Sequence, residues 1–310
     1  MSFSIKVKKE IVNLEMTKIE SISLLSAYLR NNSIVLEDCI IINTENLDIS
    51  SFIFDKIRDL YSITPFVSVK KTFNFKKNLT YMLKINNKKD IILKDLSLIN
   101  DKGYFKNIPD EYIYEDEEEK MMYLKGLFLA TGSINDPNSI NYHLEFLIDD
   151  YDYAIFICEL LDSYYLNSKI IERKNGYVIY IKEAEKISDF LKILKSNECL
   201  MNFENMRIYR DQKNRINRIN NCEQANVEKT INSALKQISE IDYIEKVVGL
   251  ESIDNKLNET AIYRKKYPEA SLEELSKIIS IETNKKVSKS GLNHRLRKIR
   301  AIYNKIRSGN

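Results

Sequence analysis

Apolar residues recur at helical spacing in two stretches that lie 100 residues apart. Leu24-Leu-Ser-Ala-Tyr-Leu-Arg-Asn-Asn-Ser-Ile34 can be laid over Leu124-Lys-Gly-Leu-Phe-Leu-Ala-Thr-Gly-Ser-Ile134, and each ends in a small polar pair plus Ile. A β-type stretch follows each, Cys39-Ile-Ile-Ile42 and His143-Leu-Glu-Phe-Leu-Ile148. An amphipathic helix comes next, over residues 51–61 in one copy and 153–164 in the other. Paired strands are then predicted at 66–69 with 81–85, and at 169–172 with 177–181. Asn175-Gly176 supplies a hairpin turn for the second pair. The copies close on helices at 90–99 and 187–194. Two halves of like order predict an α+β domain with a pseudo-twofold between its lead helices. Small residues Ser26, Ala27, Gly126 and Ala130 would let those two backbones approach.

The pattern changes after residue 203. Residues 204–226 are polar and rich in Arg and Asn, with Arg207, Arg210, Lys213, Arg215 and Arg218 at short intervals. A helical tract follows with Val227, Ile231, Leu235 and Ile238 on one face. Leu257–Tyr267 reads as a helix stopped by Pro268. Ser271-Leu-Glu-Glu274 is a capping box that opens a helix over 272–279. A nine-residue polar connection, 280–288, leads to a third helix over 289–306. Its Leu292, Leu296, Ile299, Tyr303 and Ile306 form one apolar seam.

This is the pattern of a helix-turn-helix running from about Ser271 to Ile306, although the nine-residue connection exceeds the usual three- or four-residue turn. Four segments are expected: halves at 1–115 and 116–203, an Arg/Asn-rich helical linker at 204–255, and an all-α unit at 256–310. The acidic run Glu115–Glu119 reads as a solvated linker or a first helical turn.

Charge sharpens the picture. The chain carries +3 in all, but residues 256–310 carry +9. Residues 1–115 are +2, 116–203 are −7 and 204–255 are −1. A basic end on a mildly acidic body suits a module that docks on phosphate. Residues 285–307 hold nine Lys or Arg and no acid.

The face of the third helix opposite its seam divides by geometry. Residues near the helix N-terminus would enter the major groove, so Ser290, Asn293, His294 and Arg297 are the candidate base readers. Lys289, Arg295, Lys298 and Arg300 are the candidate phosphate contacts. The plainer reading is a solvated face or a surface for an acidic partner. The capped helix just before it favours DNA.

Other classes find less support. No run of 18 apolar residues exists, so no transmembrane helix is expected, and the N-terminus lacks an apolar signal core. Cys39, Cys158, Cys199 and Cys222 are widely spaced, and only His143 and His294 could join them. Neither a zinc site nor any cofactor is expected, and the thiols fit a reducing cytoplasm.

Tyr123–Ile134 resembles the LAGLIDADG helix of homing endonucleases. In that family two such helices meet at the centre of a pseudo-dimer, and the penultimate acid of each binds the catalytic divalent metal. The corresponding positions here are Asn31 and Thr131, with no carboxylate beside either. Asp136 comes five residues later and should project elsewhere. Neither Asn nor Thr carries the charge a hard divalent cation needs, so no metal, no catalytic residue and no enzyme are expected. The −7 half would also repel a duplex. Lys70, Lys71, Lys76, Lys77, Lys84, Lys88 and Lys89 form a basic hairpin that could touch phosphate or merely protect a strand edge.

Over its whole length the chain resembles the WhiA family, which joins a degenerate LAGLIDADG scaffold to a C-terminal helix-turn-helix. The resemblance runs through Ser2-Phe-Ser, Gly132-Ser-Ile-Asn-Asp-Pro137 and Lys169-Ile-Ile-Glu-Arg-Lys174. Its most specific pieces are Asn217-Arg-Ile-Asn-Asn-Cys-Glu-Gln-Ala-Asn226 and Ser288-Lys-Ser-Gly-Leu-Asn-His-Arg-Leu-Arg-Lys298. Thr131-Gly132, the 36–106 region and the long connection depart from it.

The resemblance implies a cytoplasmic, nucleoid-associated protein that binds double-stranded DNA and regulates transcription in cell division and chromosome segregation. In spore-forming actinobacteria the family acts in sporulation. The acidic half is left as a surface for a protein partner, and no membrane association is implied. The alternatives are an interaction scaffold or a nucleoid protein with largely non-specific DNA binding.

Overall fold

The computed structural model describes residues 1–71, 79–174 and 176–309. The chain divides into two compact units, Met1–Arg210 and Asp211–Asn310.

The first unit is built around two buried helices. These are α2 (Lys18–Asn32) and α5 (Glu117–Thr131). Both are apolar on nearly every side. Leu24, Leu25, Tyr28 and Leu29 are buried on α2, and Tyr123, Leu124, Leu127 and Phe128 on α5. A helix with apolar residues all round belongs inside a core. Both starts carry a capping box, Thr17 with Glu20 and Asp116 with Glu119, so the acidic run beginning at Glu115 is a capped first turn.

The backbones pack closely. A Cβ built on Gly126 would stand 2.9 Å from the carbonyl carbon of Leu24 and 3.1 Å from the Cβ of Ala27. Ser26 Oγ donates 2.7 Å to the carbonyl of Leu96, so this small residue also ties α2 to a neighbouring segment.

Each lead helix feeds a four-stranded antiparallel sheet. The first contains β1 (Ser33–Val35), β2 (Ile40–Thr44), β3 (Phe66–Lys71) and β4 (Leu79–Ile85), in spatial order β1-β2-β4-β3. The second contains β5 (Gly132–Ile134), β6 (Leu144–Ile148), β7 (Lys169–Arg173) and β8 (Gly176–Ile181), in the order β5-β6-β8-β7. The identical orders establish the repeat as structural. Between the strands lie α3 (Leu47–Tyr61) and its counterpart α6 (Tyr151–Asp162). The halves close on α4 (Lys89–Asp95) and α7 (Ala184–Ile193). The Asn175-Gly176 turn is described only from Gly176, which has φ 125 and joins β8.

One further helix precedes the repeat. Helix α1 (Phe3–Val12) buries Phe3, Val7 and Ile11 in the same core. Ser4 Oγ donates 2.8 Å to the carbonyl of Ile134 and accepts from the N–H of that residue, tying α1 to β5.

The polar stretch after residue 203 belongs to a single helix, α8 (Asn197–Val247), and the boundary between units falls within it. It contains neither Gly nor Pro, and Gly249 (φ 78) follows its end. Its Arg, Lys, Gln and Glu are good helix formers, which suits a long polar helix.

The apolar face expected there is displaced. Val227, Ile231 and Leu235 are exposed, while Ala234, Ile241 and Ile244 are buried. Among the described residues, packing on this helix's second half begins only at Ala234, one residue round from the predicted stripe.

In the second unit, Ile241 and Ile244 share a core with three helices. These are α9 (Asn255–Lys266), α10 (Leu272–Thr283) and α11 (Lys289–Arg307). The predicted nine-residue connection is wrong. Helix α10 runs four residues beyond Ile279, and the hydroxyls of Ser280 and Thr283 are satisfied within it by the carbonyls of Ser276 and Ile279, both at 2.7 Å. Asn284 then adopts the left-handed conformation (φ 50) that ends a helix. The link left is residues 284–288, closed by Ser280 Oγ against the N–H of Val287 at 3.0 Å.

Candidate nucleic-acid interface

Helix α11 seats on the core through Leu292, Leu296 and Ile299, all buried, with Tyr303 and Ile306 packed at the margin. The predicted seam is therefore its inner face. Ser288 caps the start, its Oγ accepting from the N–H of Gly291 at 3.1 Å. Capping the third amide leaves the first-turn N–H groups of Lys289 and Ser290 directed outward, where an anion would meet them.

The outer face holds most of the predicted contacts together. Ser290, His294, Arg297 and Lys298 are exposed, and Asn293 is half-buried beside them. Among the described residues, neither Arg297 nor Lys298 meets a carboxylate. Lys289 lies at the start of this face, 4.0 Å from Glu273 of α10.

Two of the predicted phosphate contacts have partners that the sequence did not reveal. Arg295 Nη1 approaches Glu259 Oε2 at 3.5 Å and Thr260 Oγ1 at 3.4 Å, both on α9. Arg300 Nε donates 2.8 Å to Glu240 Oε1 on α8, a carboxylate only 5% exposed. Glu240 lies 60 residues upstream, and no local pattern could have linked the two. Together these pairs brace α11 against α9 and α8.

In the first unit, the positions that correspond to the LAGLIDADG metal ligands lie at the ends of α2 and α5. Asn31 Nδ2 donates to the carbonyl of Ala27 at 2.8 Å and to the Tyr153 hydroxyl at 3.0 Å. Thr131 Oγ1 bonds back to the carbonyl of Leu127 at 3.4 Å. Asp136 accepts from the N–H and Nδ2 of Asn138 in a surface turn, both at 2.8 Å. Among the described residues, no three His, Cys, Asp or Glu side chains converge as metal ligands. Neutral groups at both helix ends do not fit a hard divalent cation.

The basic hairpin is partly engaged in the fold. Lys88 and Lys89 donate to the carbonyls of Tyr61 (2.7 Å) and Glu37 (2.6 Å), and Lys70 and Lys71 lie on the edge strand β3. Lys76 and Lys77 fall outside the described residues. Cys39, Cys158, Cys199 and Cys222 are all free thiols. No described helix is long and apolar enough to cross a membrane.

The fold is thus a LAGLIDADG-like scaffold in a chain whose last three helices form a helix-turn-helix. Three family models match: "WhiA N-terminal LAGLIDADG-like domain" over 19–99, "WhiA LAGLIDADG-like domain" over 120–213 and "WhiA C-terminal HTH domain" over 216–303. The chain belongs to the WhiA family.

It is similar to the "Probable cell division protein WhiA" of Bacillus mycoides (strain KBAB4). The two are 43% identical over 314 residues, covering 100% of this chain and 98% of that one. The protein of the same name in Bacillus cereus (strain B4264) matches equally. The crystal structure of full-length DUF199/WhiA from Thermatoga maritima shares the fold, with a TM-score of 0.58. Its identity is 23%, covering 98% of this chain and 99% of that one.

Proposed function

We propose that this protein is a sequence-specific binder of double-stranded DNA that acts as a regulator in cell division, in the cytoplasm and on the nucleoid. The observation that carries the reading is the outer face of α11. It is exposed, cationic and free of acids, and it is fixed on a packed core by its opposite side. The family's helix-turn-helix match and the relatives' cell-division name support it.

In this proposal Ser290, Asn293, His294 and Arg297 read base edges, while Lys289 and Lys298 hold phosphate. Arg295 and Arg300, already facing Glu259 and Glu240, serve first to brace the helix. The region from Ser271 to Ile306 does the reading, and the rest of the chain scaffolds it. The acidic second half is offered to a protein partner. The nuclease chemistry of the LAGLIDADG fold is lost, because Asn31 and Thr131 cannot supply carboxylate oxygens.

Selection from random duplexes, followed by electrophoretic shifts across a salt series, tests the reading. One enriched site with a steep salt dependence is expected. Retention without enrichment would favour a non-specific nucleoid protein or scaffold, and no retention at low salt would end the proposal. Supercoiled plasmid incubated with Mg²⁺ or Mn²⁺ should stay intact.

A further inference from the structure

A second basic site lies beside the start of α11. A pocket of about 350 Å³ opens between α8, the first turn of α10 and Lys289. Lys229, Ser233, Arg264, Ser271, Glu273 and Lys289 line it. Three of these are cations.

Arg264 is the telling one. It is 1% exposed, one of the largest fully buried side chains. Among the described residues no carboxylate lies within ion-pair distance of it. Its Nη1 donates to the carbonyls of Ala270 at 2.7 Å and Tyr267 at 3.5 Å, and its Nε has no hydrogen-bond partner. Burial without a counter-charge depresses its pKa. A buried guanidinium is ordinarily paired with an anion, because desolvating an uncompensated charge is costly.

The neighbouring groups suit an anion as well. Ser271 Oγ caps the N–H of Glu274, which leaves the amides of Leu272 and Glu273 at the positive end of α10. Lys229 comes from α8 and Lys289 from α11, so two exposed cations flank the buried one. The single acid of the lining, Glu273, meets Lys277 at 3.0 Å and lies 4.0 Å from Lys289, so a bound phosphate would compete with it for that ammonium.

We propose that this pocket binds a phosphate group, held by Arg264, Lys229, Lys289 and the first turn of α10. The phosphate comes from the backbone of the bound DNA or from a free phosphate compound. The DNA form rests on the DNA-binding reading above; the free form does not. In the DNA form, α8 adds a backbone contact upstream of the helix-turn-helix, next to the groove that α11 enters.

The full chain and its Lys229→Gln variant test this with two readouts. In the DNA arm, the variant should lower the slope of log affinity against log salt by about one and leave the preferred sequence unchanged. In the free-phosphate arm, inorganic phosphate should raise the Tm of the parent above chloride at equal ionic strength, and the variant should lose most of that rise. Either result supports the pocket and names its source. An unchanged salt slope together with no phosphate-specific rise overturns it. A chain that fails to bind DNA but keeps the phosphate response would sink the DNA reading alone. Arg264→Lys, which keeps the charge and loses the planar fork, should weaken the same response.

Discussion

Gly126 on α5 lies against the backbone carbonyl of Leu24 on α2, with room for no more than a hydrogen between them. The two helices are the axis of the first unit, and this contact sets their distance. The backbone of Leu24 cannot yield as a flexible side chain could.

Gly126→Ala should therefore destabilise the protein by about 3 kcal/mol, the upper end for overpacking. The sign opposes helix propensity, by which alanine alone would gain about 1 kcal/mol. Urea unfolding of the parent and the variant measures the difference. A gain in stability would mean that the helices do not meet at this register.

Lys125, beside Gly126, is fully buried, and its Nζ has only Met122 Sδ at 3.7 Å. Burial first, and then the charge of Lys195, lower its pKa to about 8. The unfolded value is about 10.4. Between these values the unfolded chain still binds a proton that the folded chain has released, so stability rises with pH across that window. Lys125→Met removes the penalty. It should be more stable than the parent below pH 8, on the order of 3 kcal/mol, with the gap closing towards pH 10.5. Lys8 is also lowered to about 8 by burial, so the difference between proteins is the readout. A gap independent of pH would refute the assignment.

Arg297 and Lys298 are neighbours on α11 with different expected roles. Arg297→Ala should cost about 1–3 kcal/mol on the preferred site and relax its sequence preference. Lys298→Ala should weaken all duplexes alike and flatten the salt slope by about one. Competition shifts with specific and scrambled duplexes separate the two effects. Equal losses on both duplexes for Arg297→Ala would remove it from the base readers.

Arg300 and Glu240 hold α11 to α8. Arg300→Ala leaves a buried carboxylate unpaired and should cost about 1–2 kcal/mol, less than a fully buried pair because the guanidinium is nearly half exposed. Adding Glu240→Leu should recover part of that loss. Thermal unfolding of the four combinations gives the coupling, and strict additivity would show that the pair contributes nothing.

Much of this was legible in local pattern. The 100-residue offset exposed the repeat, since both lead helices carry the same spacing of apolar and small residues. The seam of α11 was legible because Leu292, Leu296 and Ile299 recur at four and three. The capping box at Ser271 placed the start of α10. The end of α10 is not legible in local pattern, because Ser280 and Thr283 are residue types common in loops and here lie inside the helix with their hydroxyls on carbonyls four residues back.

Sequence alone determined the class of each segment and the charge it carries, because periodicity and composition are properties of neighbouring residues. Only the tertiary structure decided which cations remain free. Arg295, Arg297, Lys298 and Arg300 read alike along the chain, yet Glu259 and Glu240 engage the first and last and leave the middle two open. The structure likewise left Arg264 buried without a carboxylate. Pairing across 36 or 60 residues depends on how helices pack, and packing is set by the whole core rather than by any local run.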